Sequence, residues 1–276
     1  MALKSRLQKA LVPFLVIIVL GIFLLPFFWM VSVALKPASE VFSFPPRFFP
    51  ERPTLGNFEV ALDPTFIRYA LNSLLVSTST TLVTLFFGIF SAYAFSRLQF
   101  PGRRAILVFI IFTQLLPLAV LIVPMHRIMG RAGLLDTYPA LIIAYLTFTV
   151  PVAVWLLRSF IATIPFEIEE AALMDGCTRL GAFLKVIIPL SVPGIMATAT
   201  YVFFVSWQEL MFASAFTISK EMRTLPVGVL DFIGERVTDW GGLMAASVLV
   251  CVPVFALFLV IQRQFIAGLT SGAVKG

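Results

Sequence analysis

The stretch IEEAALMDGCTRLG, residues 168–181, is polar and lies in one of the two longest intervals between the hydrophobic segments of this chain. Pro165, just before it, suits the first turn of a helix, where the missing backbone N–H costs nothing. Gly176 predicts that this helix ends in a left-handed conformation, and Thr178 is a residue type that caps a following helix. The sequence therefore predicts a helix, a glycine break and a second helix outside the bilayer.

The first of these predicted helices combines acids with small apolar residues. Glu169 and Glu170 lie near the positive end of the helix dipole. Ile168, Ala171 and Ala172 share one side of the helix because they are spaced by three and four residues. Such a helix can be a docking surface for a soluble partner, or it can be an ordinary solvated helix at the membrane interface. The pattern alone leaves both interpretations open.

The composition places the rest of the chain in a membrane. Of its 276 residues, 60% are hydrophobic and 12% are charged, and the mean hydropathy is +1.01. A soluble domain carries about 25% charged residues, so this chain has too little charge for a surface that faces water. The net charge of +6 comes from Lys and Arg in loops beside apolar segments, which argues against nucleic acid as a partner. Cys177 and Cys251 give no disulfide framework, and no metal site is expected.

Six apolar segments are long enough to cross a bilayer as helices, which takes about 20 residues. They run from Leu11 to Leu35, Tyr69 to Phe95, Ala105 to Met125, Tyr138 to Leu157, Ser191 to Ile218 and Gly242 to Ile261. Two short basic segments without acids, 1–10 and 96–104, both favour the cytoplasmic side. We therefore expect an all-α membrane protein with a single domain over residues 1–276, six transmembrane helices, and both termini and residues 158–190 in the cytoplasm.

The second apolar segment carries a row of small residues at a spacing of four, formed by Gly88, Ala92 and Ser96. Such a row lets two helix backbones approach closely in lipid. The row can pack within this chain or against a second membrane subunit. Packing within the chain is the preferred interpretation, because any bundle of six helices needs rows of this kind.

The polar stretch also has a long and fixed spacing. Glu170-Ala171-Ala172 is followed after three residues by Gly176, and after nine more by Val186-x-Ile188-Pro189. This pattern resembles the EAA loop of the membrane-spanning permease subunits of ATP-binding-cassette (ABC) importers. Three further pieces resemble the MalG-type subunit of carbohydrate importers, so that the resemblance covers essentially the whole chain. They are Asn72-Ser73-Leu74, Phe100-Pro101-Gly102-Arg103 and the tail from Gly268 to Gly276.

The resemblance implies the fold of a type I ABC importer permease and a division of labour among several chains. A MalF-like second permease would complete the pore, a cytoplasmic ATPase dimer would bind ATP and Mg²⁺, and an extracytoplasmic solute-binding protein would deliver the substrate. The sequence contains no G-x-x-x-x-G-K-[ST] phosphate loop. We therefore expect a transport subunit with no catalytic residue or cofactor of its own, surrounded by lipid in the bacterial cytoplasmic (inner) membrane.

The resemblance also implies which residues meet the ATPase. The polar stretch would form the coupling helix, seated in a groove of the ATPase. The residues expected to face that groove are Glu169, Glu170, Ala171, Ala172, Asp175, Gly176 and Arg179. The glycine-containing cytoplasmic tail, residues 262–276, would reach the ATPase through Thr270, Ser271 and Lys275.

Trp207-Gln208-Glu209 lies in the middle of the fifth apolar segment. An acid at the centre of a membrane helix costs about 2.5–3.5 kcal/mol on insertion scales, so it usually faces protein or a water-filled cavity. We expect these residues to line the substrate path, with Trp207 stacking on a sugar ring; the alternative is a Glu209 that a neighbouring helix satisfies. Asn72 and Gln114 are weaker path candidates, because each can instead hydrogen-bond to a neighbouring helix.

The expected function is the ATP-driven import of a sugar or oligosaccharide. A glycerol-phosphate-type ester is the alternative substrate, which an intramembrane Glu disfavours because like charges repel in a low dielectric. A gradient-driven secondary transporter, with Glu209 as its coupling acid, is the alternative from another class. Inverted repeats are expected for that class and are not found in the sequence.

Overall fold

The computed structural model describes the backbone of residues 2–234 and 237–273, and the side chains of residues 11–234 and 237–259. Within this part of the chain the secondary structure is helical. The only β-pairing among the described residues is an isolated antiparallel bridge between Ile233 and Thr238. The predicted all-α class is therefore confirmed.

The helices are labelled here in chain order. Their bounds are α1 Ala2–Ala34, α2 Ala38–Val41, α3 Gly56–Ala61, α4 Pro64–Arg97, α5 Arg103–Thr113, α6 Leu118–Arg131, α7 Tyr138–Ile161, α8 Phe166–Met174, α9 Arg179–Ala182, α10 Ile188–Leu190, α11 Val192–Trp207, α12 Met211–Phe216, α13 Leu225–Val229 and α14 Trp240–Ala273. A π-helical segment, Phe183–Ile187, joins α9 to α10, and two short 3₁₀ turns cover Lys220–Met222 and Leu230–Phe232. The chain divides into a first unit, residues 1–66 with 229–252, and a second unit, residues 67–228 with 253–276.

Each of the six predicted apolar segments is largely helical. Among the described residues, four continuous helices are long and apolar enough to cross a bilayer: Leu11–Ala34, Pro64–Arg97, Tyr138–Ile161 and Trp240–Leu259. Two bent pairs bring the number to as many as six, if each pair is one span. These pairs are α5 with α6, bent by 97°, and Arg179–Leu190 with α11, bent by 72°.

The third predicted segment, Ala105–Met125, is not one straight helix, so that prediction was wrong in its detail. The helix stops at Thr113 and restarts at Leu118 in a new direction. Pro117 lies at this break, with φ −58° and ψ 128°. Proline has no N–H to continue the helix and also disfavours helical geometry in the residue before it.

The fifth predicted segment, Ser191–Ile218, is broken as well. Its helix α11 ends at Trp207, and α12 begins only after a short gap. In that gap the Glu209 carboxylate accepts hydrogen bonds from the amides of Phe212 (2.8 Å) and Ala213 (3.0 Å). These amides belong to the first turn of α12 and have no partner within the helix. Glu209 therefore starts a new helix, which corrects its predicted position at a helix centre.

In the first unit, the segment after α1 folds back onto the end of that helix. The Lys36 Nζ atom donates to the carbonyl of Arg47 (2.5 Å) and lies 4.3 Å from the centroid of the Trp29 ring. The Asn57 Nδ2 atom donates to the carbonyls of Ala34 and Lys36, at 2.8 Å each. Carbonyls at the end of a helix have no intrahelical partner, so these bonds satisfy the end of α1.

In the second unit, α7 contributes to two hydrophobic clusters. Near its start it packs with α6 and α12, and near its end it packs with α4 and the π-helical segment. The small row on α4 contributes to the packing, because a Cβ atom added at Gly88 would lie 3.3 Å from both Ala153 and Leu157 of α7. Gly88, the first residue of the row, therefore packs within this chain.

Candidate functional site

The polar stretch forms a separate short helix, α8, with a well-defined end. The amide of Gly176 donates to the carbonyl of Leu173 (3.1 Å), and the amide of Cys177 donates to that of Ala172 (3.0 Å). This pair of bonds is the Schellman motif, which needs a left-handed residue just past the helix. Gly176 provides it with φ +88°. The predicted glycine break is confirmed.

The helix that follows begins where the sequence predicts. The hydroxyl of Thr178 accepts a hydrogen bond from the amide of Gly181 (3.1 Å), which is an N-cap of α9. The π-helical segment then turns Phe183 inward, and its ring lies 4.5 Å from that of Tyr93 on α4. The polar stretch is thus a short helix and a second helical turn that are held against the membrane helices.

One acid of α8 is turned inward. Glu169 is 4% exposed. Its carboxylate accepts a hydrogen bond from the hydroxyl of Tyr93 (2.5 Å) and forms an ion pair with the guanidinium of Arg97 (3.1 Å). Both partners lie at the end of α4. The prediction that Glu169 is exposed for docking is therefore wrong: a carboxylate with an ion-pair partner and a hydroxyl donor can be buried.

The same arginine contacts a third element. A terminal nitrogen of Arg97 donates to the carbonyls of Ile161 (3.2 Å) and Ile164 (2.7 Å), at the end of α7. Its guanidinium also lies 5.4 Å from the centroid of the Phe166 ring, at the start of α8. We call Tyr93, Arg97 and Glu169 the inner anchor of α8. The sequence analysis counted Arg97 only as a topology charge.

The opposite side of α8 is open. We call this side the outer face. Of the other residues predicted to face the groove, Ala172 is half-buried and five are exposed: Glu170, Ala171, Asp175, Gly176 and Arg179. Among the large apolar side chains of this region, Met174 is the most exposed, at 87%, and Leu180 follows at 58%. Neither was predicted to dock, although an apolar residue among acids on a short surface helix is a usable signal for a contact site.

The predicted path residues lie around the gap between α11 and α12. Trp207 is buried and stacks on Phe203, with ring centroids 5.7 Å apart. Gln208 is exposed, whereas Glu209 is half-buried and holds the first turn of α12. The buried hydroxyl of Tyr145 lies beside this carboxylate. Glu209 thus has local partners, which is the alternative that the sequence left open.

The two weaker path candidates are far from equivalent. Asn72 is 3% exposed, and its amide donates to the carbonyls of Glu221 and Arg223, at 2.8 Å each. It also accepts a hydrogen bond from the hydroxyl of Tyr138 (2.8 Å). All its polar atoms therefore serve structural bonds. Gln114 is exposed at the break between α5 and α6.

The predicted tail residues Thr270, Ser271 and Lys275 have side chains outside the described residues. Among the residues that the structure does describe, no group of His, Cys, Asp and Glu is arranged to hold a metal ion. The described residues thus contain two candidate sites. One is α8, with a buried inner side and an exposed outer side, and the other is the helix break after Trp207, with its polar groups.

Most of the chain matches known proteins in sequence. Residues 84–271 match the family model described as binding-protein-dependent transport system inner membrane component. The trehalose transport system permease protein SugB of Mycobacterium tuberculosis is 36% identical over 94% of this chain and 95% of its own length. The trehalose/maltose transport system permease protein MalG of Thermococcus litoralis is 34% identical over 99% of both chains.

A solved structure shares the fold. A chain of a bacterial ABC transporter involved in the import of the acidic polysaccharide alginate superposes with a TM-score of 0.79, at 23% identity, over 94% of this chain and 97% of that one. Together with the apolar helices, these matches define a class: the chain is a multi-pass permease subunit of an ABC importer. More particularly, it belongs to the family of binding-protein-dependent transport system inner membrane components, which confirms the predicted resemblance.

Proposed function

We propose that this chain forms half of the pore of an importer for a sugar or oligosaccharide and receives the energy of ATP hydrolysis through α8. In this proposal the chain crosses the membrane six times, with each bent helix pair as one span. Both termini and residues 158–190 face the cytoplasm. The observation that carries the proposal is the division of α8 into a buried inner side and an exposed outer side.

The outer face suits a protein groove. Glu170 and Asp175 supply negative charge and Arg179 supplies positive charge, and all three are exposed. Met174, in the same stretch, is 87% exposed. Apolar anchors within a polar rim are typical of protein interfaces. The Met174 side chain is exposed in this chain alone, and a groove in an ATPase would cover it.

The inner side explains how a docked helix could act on the membrane. When ATP binding closes the ATPase dimer, the groove moves and carries α8 with it. Glu169 of α8 contacts Tyr93 and Arg97 of α4, and the following π-helical segment packs on α4 and α7 through a buried cluster that includes Phe183 and Leu157. The membrane helices would therefore follow as packed bodies. A switch between two packed arrangements would then open the pore to one side and then to the other.

The remaining partners follow from the family. A second, MalF-like permease completes the pore, the ATPase dimer binds ATP and Mg²⁺, and an extracytoplasmic solute-binding protein delivers the substrate. The tail residues Thr270, Ser271 and Lys275 are proposed as a second contact with the ATPase. Relatives named for trehalose and for trehalose or maltose support a sugar as the substrate.

The substrate path is proposed to pass the break between α11 and α12. Gln208 is exposed there, whereas the predicted stacking residue Trp207 is buried against Phe203 and supports the break from inside. Glu209 holds α12 in place, so we assign it the role of shaping the path and leave direct contact to Gln208. Amide side chains donate to and accept from sugar hydroxyls.

The central experiment measures ATP hydrolysis and uptake by the complete importer in proteoliposomes, with and without the solute-binding protein. We expect Glu170→Lys to release the ATPase from the membrane or to abolish its stimulation by the binding protein. Glu167→Lys makes the same charge change on the exposed part of α8 outside the proposed docking set, and it should have a much smaller effect. Uptake by this chain alone, unaffected by Glu170→Lys, would point instead to a gradient-driven carrier.

The substrate class needs its own measurement. Stimulation of ATP hydrolysis is compared for trehalose, maltose and glycerol phosphate, each with the binding protein present. The proposal expects a neutral sugar to give the greatest stimulation. If glycerol phosphate gives more than either sugar, the chain serves an ester importer.

A further inference from the structure

The inner anchor joins three helices at one buried point. Glu169 comes from α8, Tyr93 and Arg97 come from α4, and Arg97 also holds the carbonyls of Ile161 and Ile164 after α7. The side chains of Arg97 and Glu169 are 7% and 5% exposed. We propose that Arg97 is a positioning residue for transport, which makes α8 and the cytoplasmic ends of α4 and α7 move as one body.

The geometry favours an arginine for this role. Its planar guanidinium presents donors in several directions at once, so a single side chain can hold a carboxylate and two carbonyls. These acceptors lie on two elements other than α4, so Arg97 adds polar bonds to the apolar packing that already joins them. The carbonyl of Ile161, the last residue of α7, accepts from Arg97 and from the amide of Ile164 (3.2 Å), so Arg97 reinforces the turn that ends α7.

Burial makes the link stiff. An ion pair that is shielded from water is screened little by salt, and removing one partner leaves an uncompensated charge. A displacement of α8 that separated Glu169 from Arg97 would likewise leave a buried charge without its partner. Movement of α8 is therefore opposed unless α4 moves with it, whereas the outer face of α8 remains free to bind.

The hydroxyl of Tyr93 gives the Glu169 carboxylate a second polar contact with α4. It donates to Oε1 of Glu169, while Arg97 faces Oε2. The carboxylate is thus held by both oxygens from one helix, α4. Apolar packing alone, such as the ring contact between Tyr93 and Phe183, permits small sliding movements that a two-point polar contact resists.

This inference rests on the proposed function, because it assumes that an ATPase pushes on α8. Its test is the number of substrate molecules imported per ATP hydrolysed by the complete complex in proteoliposomes. For Arg97→Met we expect the ATPase to remain bound and to hydrolyse ATP, while import per ATP falls by about five-fold or more, the usual lower range of a coupling between sites.

Conservative variants should show a graded loss of import per ATP hydrolysed. Arg97→Lys keeps the charge but loses the planar fork, so it should give an intermediate loss. Glu169→Gln keeps the shape and removes the charge, and it should also lose coupling. Glu167→Gln, the same change two residues away on the exposed side of α8, should leave import per ATP unchanged. If Arg97→Met fails to accumulate in the membrane, Arg97→Lys and Tyr93→Phe provide the same measurement.

A second readout separates mechanical linkage from mere stability. Spin labels at Gln99→Cys, two residues after the end of α4, and at Glu167→Cys on α8 are both at exposed positions. Once Cys177 and Cys251 are replaced by serine, they report the distance between the end of α4 and α8. With the anchor intact, this distance should stay the same when ATP is added. With Arg97→Met it should change with ATP.

The outcomes distinguish the two proposals. If Glu170→Lys has no effect on the ATPase, the proposed function fails before the anchor is tested. If Glu170→Lys releases the ATPase but Arg97→Met and Arg97→Lys import as much per ATP as the wild type, the anchor is only structural and the inference is overturned.

Discussion

The side-chain amide of Asn72 donates a hydrogen bond of 2.8 Å to the main-chain carbonyl of Arg223. The same nitrogen donates to the carbonyl of Glu221, and the neighbouring Ser73 hydroxyl accepts from the amide of Leu225 (2.7 Å). The first turns of α4 thereby hold the segment between α12 and α13. Two adjacent residues of the sequence motif that resembles the MalG-type subunit thus serve to fix a loop.

Replacing Asn72 by Asp should destabilise the protein by about 2–3 kcal/mol. The change removes two donors and turns an acceptor towards the carbonyls of Glu221 and Arg223, which leaves buried polar groups without partners. Thermal unfolding of the purified chain in detergent measures the effect. Gln99→Glu, the same amide-to-acid change at an exposed position, is the control. Equal melting temperatures for the two variants would contradict the structural role of Asn72.

Asp136 forms a second tie to the same loop. Its backbone has φ 62°, a region that Asp and Asn tolerate. Its carboxylate accepts hydrogen bonds from the amides of Ile218 (2.8 Å) and Ser219 (3.0 Å). Burial alone would raise the pKa of this carboxyl, but these bonds and one from the Ser219 hydroxyl outweigh it and lower the pKa.

The lowered pKa gives a prediction with a definite sign. Because the carboxyl ionises more readily in the folded state, its contribution to stability is complete above about pH 4 and is lost as the pH falls through the lowered folded pKa. Asp136→Asn should therefore lower the free energy of unfolding by about 1 kcal/mol at neutral pH. The difference from the wild type should be constant down to about pH 4 and then shrink as the pH falls further. Glu59→Gln, at an exposed acid, should show no such profile.

Gly194 of α11 lies directly against the Phe160 side chain of α7. A Cβ atom added there would lie 2.4 Å from Cγ of Phe160. Gly194→Ala should push these helices apart and destabilise the protein by about 1–3 kcal/mol. Gly21→Ala is the matched control, since a Cβ at Gly21 meets nothing within 4 Å. In detergent, the first variant should unfold at a lower temperature and the second should not.

Gly176 ends α8 with a positive φ of +88°. Gly176→Ala forces a Cβ into the left-handed region, at about 1–2 kcal/mol, so the Schellman bonds should weaken. Gly176→Asn should do less harm, because asparagine visits this region more readily. Binding-protein-stimulated ATP hydrolysis by the whole importer should fall for alanine and recover for asparagine. The opposite order would show that the glycine matters for space and not for backbone conformation.

The sequence predicted the membrane helices because hydropathy depends on each segment alone. It also predicted the end of α8, since Gly176 and Thr178 act within a few residues of themselves. The break at Pro117 was readable from the proline. The break after Trp207 was harder to see, because Glu209 acts there as a helix cap, and an acid in an apolar segment suggested a path instead.

The inner anchor could not be predicted from the sequence, for a different reason. Tyr93 and Glu169 are separated by 76 positions, and nothing in the spacing of either residue indicates the other. The pattern on α8 gave two adjacent acids with the same apparent role. Only the packing of α8 on α4 shows that Glu169 turns inward while Glu170 stays outside.

Glu169 and Glu170, two of the three acids of α8, would answer to different selective pressures if α8 docks on an ATPase as proposed. A substitution at Glu169 is tolerated when Arg97 changes to suit it, so these two positions should vary together during evolution within one gene. Glu170 should instead vary together with residues of another gene, that of the ATPase. Under the proposed function, a permease of this kind would adapt to a new ATPase by changes on one side of a single short helix, with its inner side inherited intact.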